Sequence, residues 1–339
     1  MHDPRIAAYA LEASRHLARA GHALATRQTR SGPTKGNVPP FEGSGEPDFH
    51  GALAAIWVWA RYQHLAGDPR FAAPRDAAWS FVEGTWEQFI PESLGPDASD
   101  EAAFDCAMVL RAALAERGLA AGDSQRKKMV ASAARLLGAY LSELSHVGGR
   151  AFSDPGFIAW CLLDHARAVD DKSLLVTGQR FVERFFGMRV PPPFTSEPED
   201  TRGLFDFSST TATRVLAVMS SEGNTPFLGV WLRERVKKAI PEGYVGRSLD
   251  ANVWNASVAA ALGRAYIVST DTAFRDGCVS ILAELAGRDL EQTGALGRDD
   301  ENASPDTLAT FYWGLAVDSL VRDVPAAAPM VARNAQGRR

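Results

Sequence analysis

The chain has 339 residues, 46% of them hydrophobic and 23% charged, which is the composition of a folded globular protein and excludes a disordered one. Its net charge of −5 lacks the basic excess of a nucleic-acid binder. No run approaches the roughly 18 consecutive apolar residues of a membrane span.

Periodicity and turn residues predict helices throughout. The first covers Pro4 to Thr26; charges interrupt it where a signal peptide would be apolar, so a cytoplasmic protein is expected. A glycine- and proline-rich loop, 32–47, follows. Helices then start in pairs: Asp48 and, after the Gly67-Asp68-Pro69 turn, a partner ending near Phe89; Asp100 and Ser124; Asp154 and Lys172; Asp206 and Pro226; Asp250 and Thr272. A last helix runs from Pro305 to Val321, with the N-terminal helix as its partner. The first member of each pair is apolar on nearly all sides, as in ALAAIWVWA and FIAWCLL. The second carries the charge, as in SQRKKMVASAARLL. A helix apolar all round is buried and an amphipathic one covers it. The aspartates Asp48, Asp100, Asp154, Asp206, Asp250 and Asp306 are spaced by 44 to 56 residues, the mark of a helical-hairpin repeat. Six hairpins closed into a ring predict an all-α fold, a single (α/α)6 toroid over residues 1–325, with a disordered tail at 326–339.

Such a ring places six carboxylates around one mouth. Any of them can be a helix cap, yet their neighbours suggest more. Asp48 is followed by His50, Asp100 by Glu101 and Asp105, Asp250 by Asn252 and Asn255. Asp105 lies one turn after Glu101 on the same helix face, among Phe104, Cys106 and Met108. An acid in apolar surroundings must pair with a cation, face a polar cavity or hold its proton to higher pH, and the last is what general-acid chemistry requires. Asp105, Asp100 and Glu101 are therefore the candidate catalytic residues. Asp48, His50, Trp57, Trp160, Asp206, Asp250, Trp254, Asn255, Asp306 and Phe311 are the candidate substrate contacts, the aromatics facing a pore. No His or Cys pattern suggests a metal centre; the run Arg298 to Asn302 offers oxygen ligands for Mg²⁺ on a diphosphate. Cys106, Cys161 and Cys278 are isolated in apolar runs and expected to be buried free thiols.

Two resemblances bear on function. Arg19, Ala20, Leu24, Gln28 and Gly32, with a weaker echo at Tyr140-Leu141 and Gly149, are similar to the repeat of the squalene cyclase and protein prenyltransferase group. The segment Asp97 to Ala102 resembles that group's acid motif, with Ser99 where the protonating aspartate would stand. The turns Gly67 to Phe71 and Thr270 to Phe274 resemble those of six-hairpin sugar enzymes. The first resemblance implies a terpenoid cyclase-like enzyme, an isomerase or lyase, that protonates an isoprenoid in an aromatic cavity. The second implies a glycosidase, lyase or epimerase with two rim carboxylates. A ring that binds a small molecule or peptide without catalysis is the third reading. A small-molecule substrate is expected, and no nucleic acid or membrane; oligomeric state stays open.

Overall fold

The computed structural model describes residues 4–94, 100–116, 124–144, 155–185, 204–222, 232, 251–298 and 304–321. Eleven α-helices lie among them: α1 Pro4–Arg27, α2 Phe49–Ala66, α3 Ala72–Phe89, α4 Asp100–Ala115, α5 Ser124–Leu144, α6 Pro155–Val169, α7 Lys172–Phe185, α8 Leu204–Glu222, α9 Ala251–Ser269, α10 Thr272–Arg288 and α11 Thr307–Asp318. The sole β contact among these residues is a bridge between Leu296 and Asp306. The expected outer helix from Pro226, the rim residues Asp154 and Asp250, the loop 190–203 and the tail 326–339 lie outside the described residues.

The helices form the expected toroid. Helices α2, α4, α6, α8, α9 and α11 each pack against the next, and α11 returns to α2. Helices α1, α3, α5, α7 and α10 cover this inner ring, and α1 closes it by packing on both α2 and α11. The inner helices are buried along their length; Ala52 to Ile56, Val58 and Trp59 of α2 have no exposed surface. Alanine and glycine let these helices approach closely. A Cβ on Gly156 of α6 would strike Thr213 and the backbone of α8.

The inner-to-outer turns share one design. Gly67, with φ of 67°, ends α2 and donates its N–H to Gln63 O. Thr270 and Asp170 reach the same left-handed region, φ 60° and 57°, at the ends of α9 and α6. An aspartate follows each time. Asp68 accepts from the N–H of Arg70, Asp271 from Ala273, and Asp171 from Ser173 and Leu174. In two of the turns a buried phenylalanine, Phe71 or Phe274, then anchors the outer helix. The turn is thus a capping device set by chain geometry.

The residues behind the isoprenoid resemblance also have plain structural roles. Ala20 and Leu24 are buried against the inner ring. Gln28 donates its side-chain amide to Pro74 O at 2.7 Å and Gly36 O at 3.2 Å, fastening the loop after α1. Thr307 donates its N–H to Pro40 O and its hydroxyl to Pro39 O, tying that loop to α11.

Candidate active site

The inner helices begin at one mouth of the ring, and two of its aspartates are caps. Asp48, φ −124° and ψ 102°, accepts from Gly51 N–H at 2.9 Å; Asp306 accepts from Ala309 N–H at 2.8 Å. Each satisfies an amide that the first turn leaves without a partner. Asn37 Oδ1 accepts from the Asp48 N–H at 2.8 Å, so the 29–47 loop fixes the cap. Arg298 Nε donates to Asp306 Oδ2 at 3.0 Å, and Arg27 Nη1 to Pro305 O at 2.7 Å.

Asp48 does more than cap. Its Oδ1 lies 3.3 Å from His50 Nε2, and His50 Nδ1 lies 3.5 Å from Asp105 Oδ1 on α4. The imidazole therefore bridges two carboxylates that come from neighbouring inner helices. The second contact is at the long limit of a hydrogen bond. Asp105 is 1% exposed and Asp48 7%, while the His50 side chain is 27% exposed at the mouth. Glu101, exposed, stands one turn above Asp105, and its charge acts on His50, Asp48 and Asp105.

Burial alone would strip the proton from His50. The hydrogen bond to Asp105 and the charges of Asp48, Asp105 and Glu101 outweigh it and lift the pKa to about 9. Burial pushes both Asp105 and Asp48 above the usual carboxylate range, against the pull of His50. At neutral pH the cluster holds an imidazolium between two acids that give up protons reluctantly. Burial also lowers Arg27, opposed by the charges of Asp306, Glu42 and Asp48.

The predicted residues separate into groups. Asp48, His50, Glu101, Asp105 and Asp306 come together at this mouth. Asp100 opens α4 and Asp206 lies in the first turn of α8, their side chains outside the described residues. Trp254 and Asn255 are buried within α9.

The aromatics do not line a pocket beneath the acids. Phe311 has no exposed surface and stands edge-on to Trp57 at 5.3 Å. Tyr312 lies 5.4 Å from Phe311 and 6.0 Å from Phe157, and Phe157 lies 5.1 Å from Phe104. These rings fill the ring's centre. Trp57 and Trp160 instead line a cavity of about 760 Å³ at the opposite mouth, where the inner helices end.

Sequence reasoning missed Asn37 and Arg27 at the first mouth, and Arg61, Arg111, Asp164, Arg264 and Asp318 at the second. The three arginines carried a signal, being lone charges late in otherwise apolar inner helices. Among the described residues no group of three His, Cys, Asp or Glu side chains could hold a metal; residues 299–303, the expected Mg²⁺ ligands, lie outside them. The three cysteines are buried thiols outside any disulfide, as expected. No helix among the described residues is long and apolar enough to cross a membrane.

No protein family matches the chain, and no curated protein is similar to it in sequence. Solved structures are similar in fold. The GH76A alpha-1,6-mannanase from Salegentibacter sp. HEL1_6 superposes with a TM-score of 0.64 at 11% identity, over 92% of this chain and 98% of that one. An inactive variant of that enzyme, with two consecutive aspartates replaced by alanine, holds alpha-1,6-mannotetrose; it gives a TM-score of 0.65 at 10% identity, over 91% and 98%. A second inactive variant, with both replaced by asparagine, holds alpha-1,6-mannotriose and gives 0.65 at 10%, over 92% and 98%. The chain thus has the toroid fold of six-hairpin glycosidases.

The expectation of a terpenoid cyclase-like enzyme is overturned. The solved rings it resembles act on sugars, and the isoprenoid features have other causes: the partial repeat packs α1 and fastens its loop, Phe311 is core while Trp57 and Trp160 face the opposite mouth, and Asp105 is paired with His50.

Proposed function

We propose that this protein is a glycoside hydrolase that cleaves an oligosaccharide at the mouth where its inner helices begin. The observation that carries the reading is the rim cluster itself: exposed Glu101 above a buried Asp48–His50–Asp105 bridge, on a fold whose solved neighbours are mannanases. Alpha-1,6-linked mannose, which the neighbours hold, is the substrate to test first.

Hydrolysis needs one carboxylic acid to protonate the departing glycosidic oxygen. It needs a second carboxylate on the other side of the sugar, to attack the anomeric carbon or to activate water. We assign the two roles to the consecutive acids that open α4, Glu101, which is exposed, and Asp100 beside it in sequence. Consecutive acids are also what was exchanged to inactivate the neighbour. The α4 N-terminus adds a positive dipole end that favours a carboxylate there.

Asp105 is a positioning residue, being too buried to meet a sugar. Together with Asp48 it keeps His50 charged, and the imidazolium offsets the negative charge that Glu101 and its neighbours concentrate at the mouth. Asp306 and Arg298 extend the polar rim, where sugar hydroxyls find donors and acceptors. No metal is required by this chemistry.

The test is calorimetric titration of a Glu101→Gln variant with alpha-1,6-mannotetraose, other manno-oligosaccharides, uronic acids and a prenyl diphosphate. The reading expects saturable binding to a neutral oligosaccharide and none to the prenyl diphosphate. Binding of the prenyl diphosphate alone contradicts it.

A further inference from the structure

The second mouth is a site in its own right. All six inner helices send their C-terminal halves to its cavity of about 760 Å³, within the range of small-molecule pockets. Trp57, one of its lining residues, stands edge-on to the fully buried Phe311. Three arginines from three helices stand around it: Arg61 on α2, Arg111 on α4 and Arg264 on α9.

Two of these are held rigidly. Arg61 Nε donates to Asp318 Oδ1 at 2.7 Å. Arg111 Nη1 donates to Asp164 Oδ2 at 3.0 Å, and its guanidinium carbon lies over Trp160, 3.7 Å from the ring centre. Asp164 is itself fixed by the Ser220 hydroxyl at 2.7 Å. The third, Arg264, is exposed and has neither an ion pair nor a hydrogen bond among the described residues, while the Arg111 side chain, only 9% exposed, also interacts with Cys161. Among the described lining residues three arginines stand against two carboxylates and offset the negative helix-dipole ends that converge there, with His64 at the same mouth adding a further donor.

Arginines near helix ends commonly serve the terminal carbonyls. Here other groups take that task. Gly67 N–H caps α2, Arg167 donates to Ser220 O and Ser221 O at the end of α8, and Ser319 N–H caps α11. Among the described residues neither Arg111 nor Arg264 is hydrogen-bonded to a helix carbonyl. Planar guanidinium groups pre-set by carboxylates and an aromatic face are built for bidentate recognition of oxyanions.

We propose that the C-terminal mouth of the inner ring binds a small anionic molecule, a phosphorylated or carboxylated sugar or one of like size, with its oxyanion on Arg264 and Arg111 and its body against Trp160. This site is independent of the glycosidase reading of the other mouth.

Thermal unfolding of the full-length protein tests it, with inorganic phosphate, a hexose 6-phosphate, a hexuronate and the neutral hexose as probes. Wild type should gain about 2–5 °C at saturating phosphorylated or carboxylated hexose, and nothing from the neutral one. Arg264→Ala should lose the gain, while Glu101→Gln at the opposite mouth should keep it. A gain retained in Arg264→Ala, lost in Glu101→Gln, equal with the neutral hexose, or absent with every anion overturns the proposal.

Discussion

His50 stands between Asp48 and Asp105, 3.3 Å from one carboxylate and 3.5 Å from the other, and joins the first two inner helices where they start. Its proton is the part of the site most open to measurement. NMR titration of the imidazole should report a pKa near 9. Asp105→Asn removes the hydrogen bond and one of the raising charges while burial persists, so the value should drop well below 9. An unchanged titration in that variant would remove the bridge from the account.

The same groups set a pH dependence of stability. The folded pKa of His50, about 9, lies above its ordinary 6.5, so its contribution is complete below 6.5 and disappears as pH rises through about 9. Asp48 and Asp105 are raised by burial, and their ionisation works in the same direction as pH rises. Denaturant midpoints should therefore fall between pH 6.5 and 9, and Asp105→Asn should flatten that fall.

Asp306 ties three things together: the first turn of α11, Arg298 and the electrostatics of the mouth. Asp306→Ala should cost about 1–2 kcal/mol in urea denaturation, the loss of a buried cap with its ion-pair partner. Asp271→Ala removes a cap whose hydrogen bond is exposed and should cost closer to about 0.5 kcal/mol.

Gly51 faces the Asp48 carboxylate so closely that a Cβ would collide with it and with Val38 O. Gly51→Ala should destabilise the fold by about 1–3 kcal/mol through overpacking. It should also displace Asp48, and the His50 titration would move with it. A stable variant with an unaltered His50 would show that the rim is looser than these contacts imply.

The ring was legible in the sequence because its signals are local. An aspartate cap, a left-handed turn and the contrast between apolar and amphipathic helices each arise within a few residues, and their repetition carried the fold from Asp48 to Asp306. Closure by α1 followed from the need to cover α11. Asp105 was legible as an acid out of place, but its partner was not, because the contact to His50 crosses between helices. The aromatics misled for a physical reason. An inner helix is apolar on every side, so its sequence does not distinguish a ring facing a cavity from one filling the core; Phe311 fills it, while Trp57 faces the opposite mouth. Gln28 misled likewise: a side-chain amide that fastens a loop resembles a motif glutamine until its acceptors, Pro74 and Gly36, are seen. The function followed those two errors to isoprenoids.

The measurement that tests the central claim most directly is release of reducing ends from alpha-1,6-mannotetraose, by wild type and by Glu101→Gln and Asp100→Asn side by side. General-acid and nucleophilic groups contribute about 10²–10⁴-fold each, so the account predicts release by wild type and a loss of at least that order in each variant. Glu101 is exposed, so its variant should keep the wild-type melting temperature. Full activity in both variants would contradict the assignment of this mouth, and no release from any manno-oligosaccharide or other glycan tested would contradict hydrolysis itself.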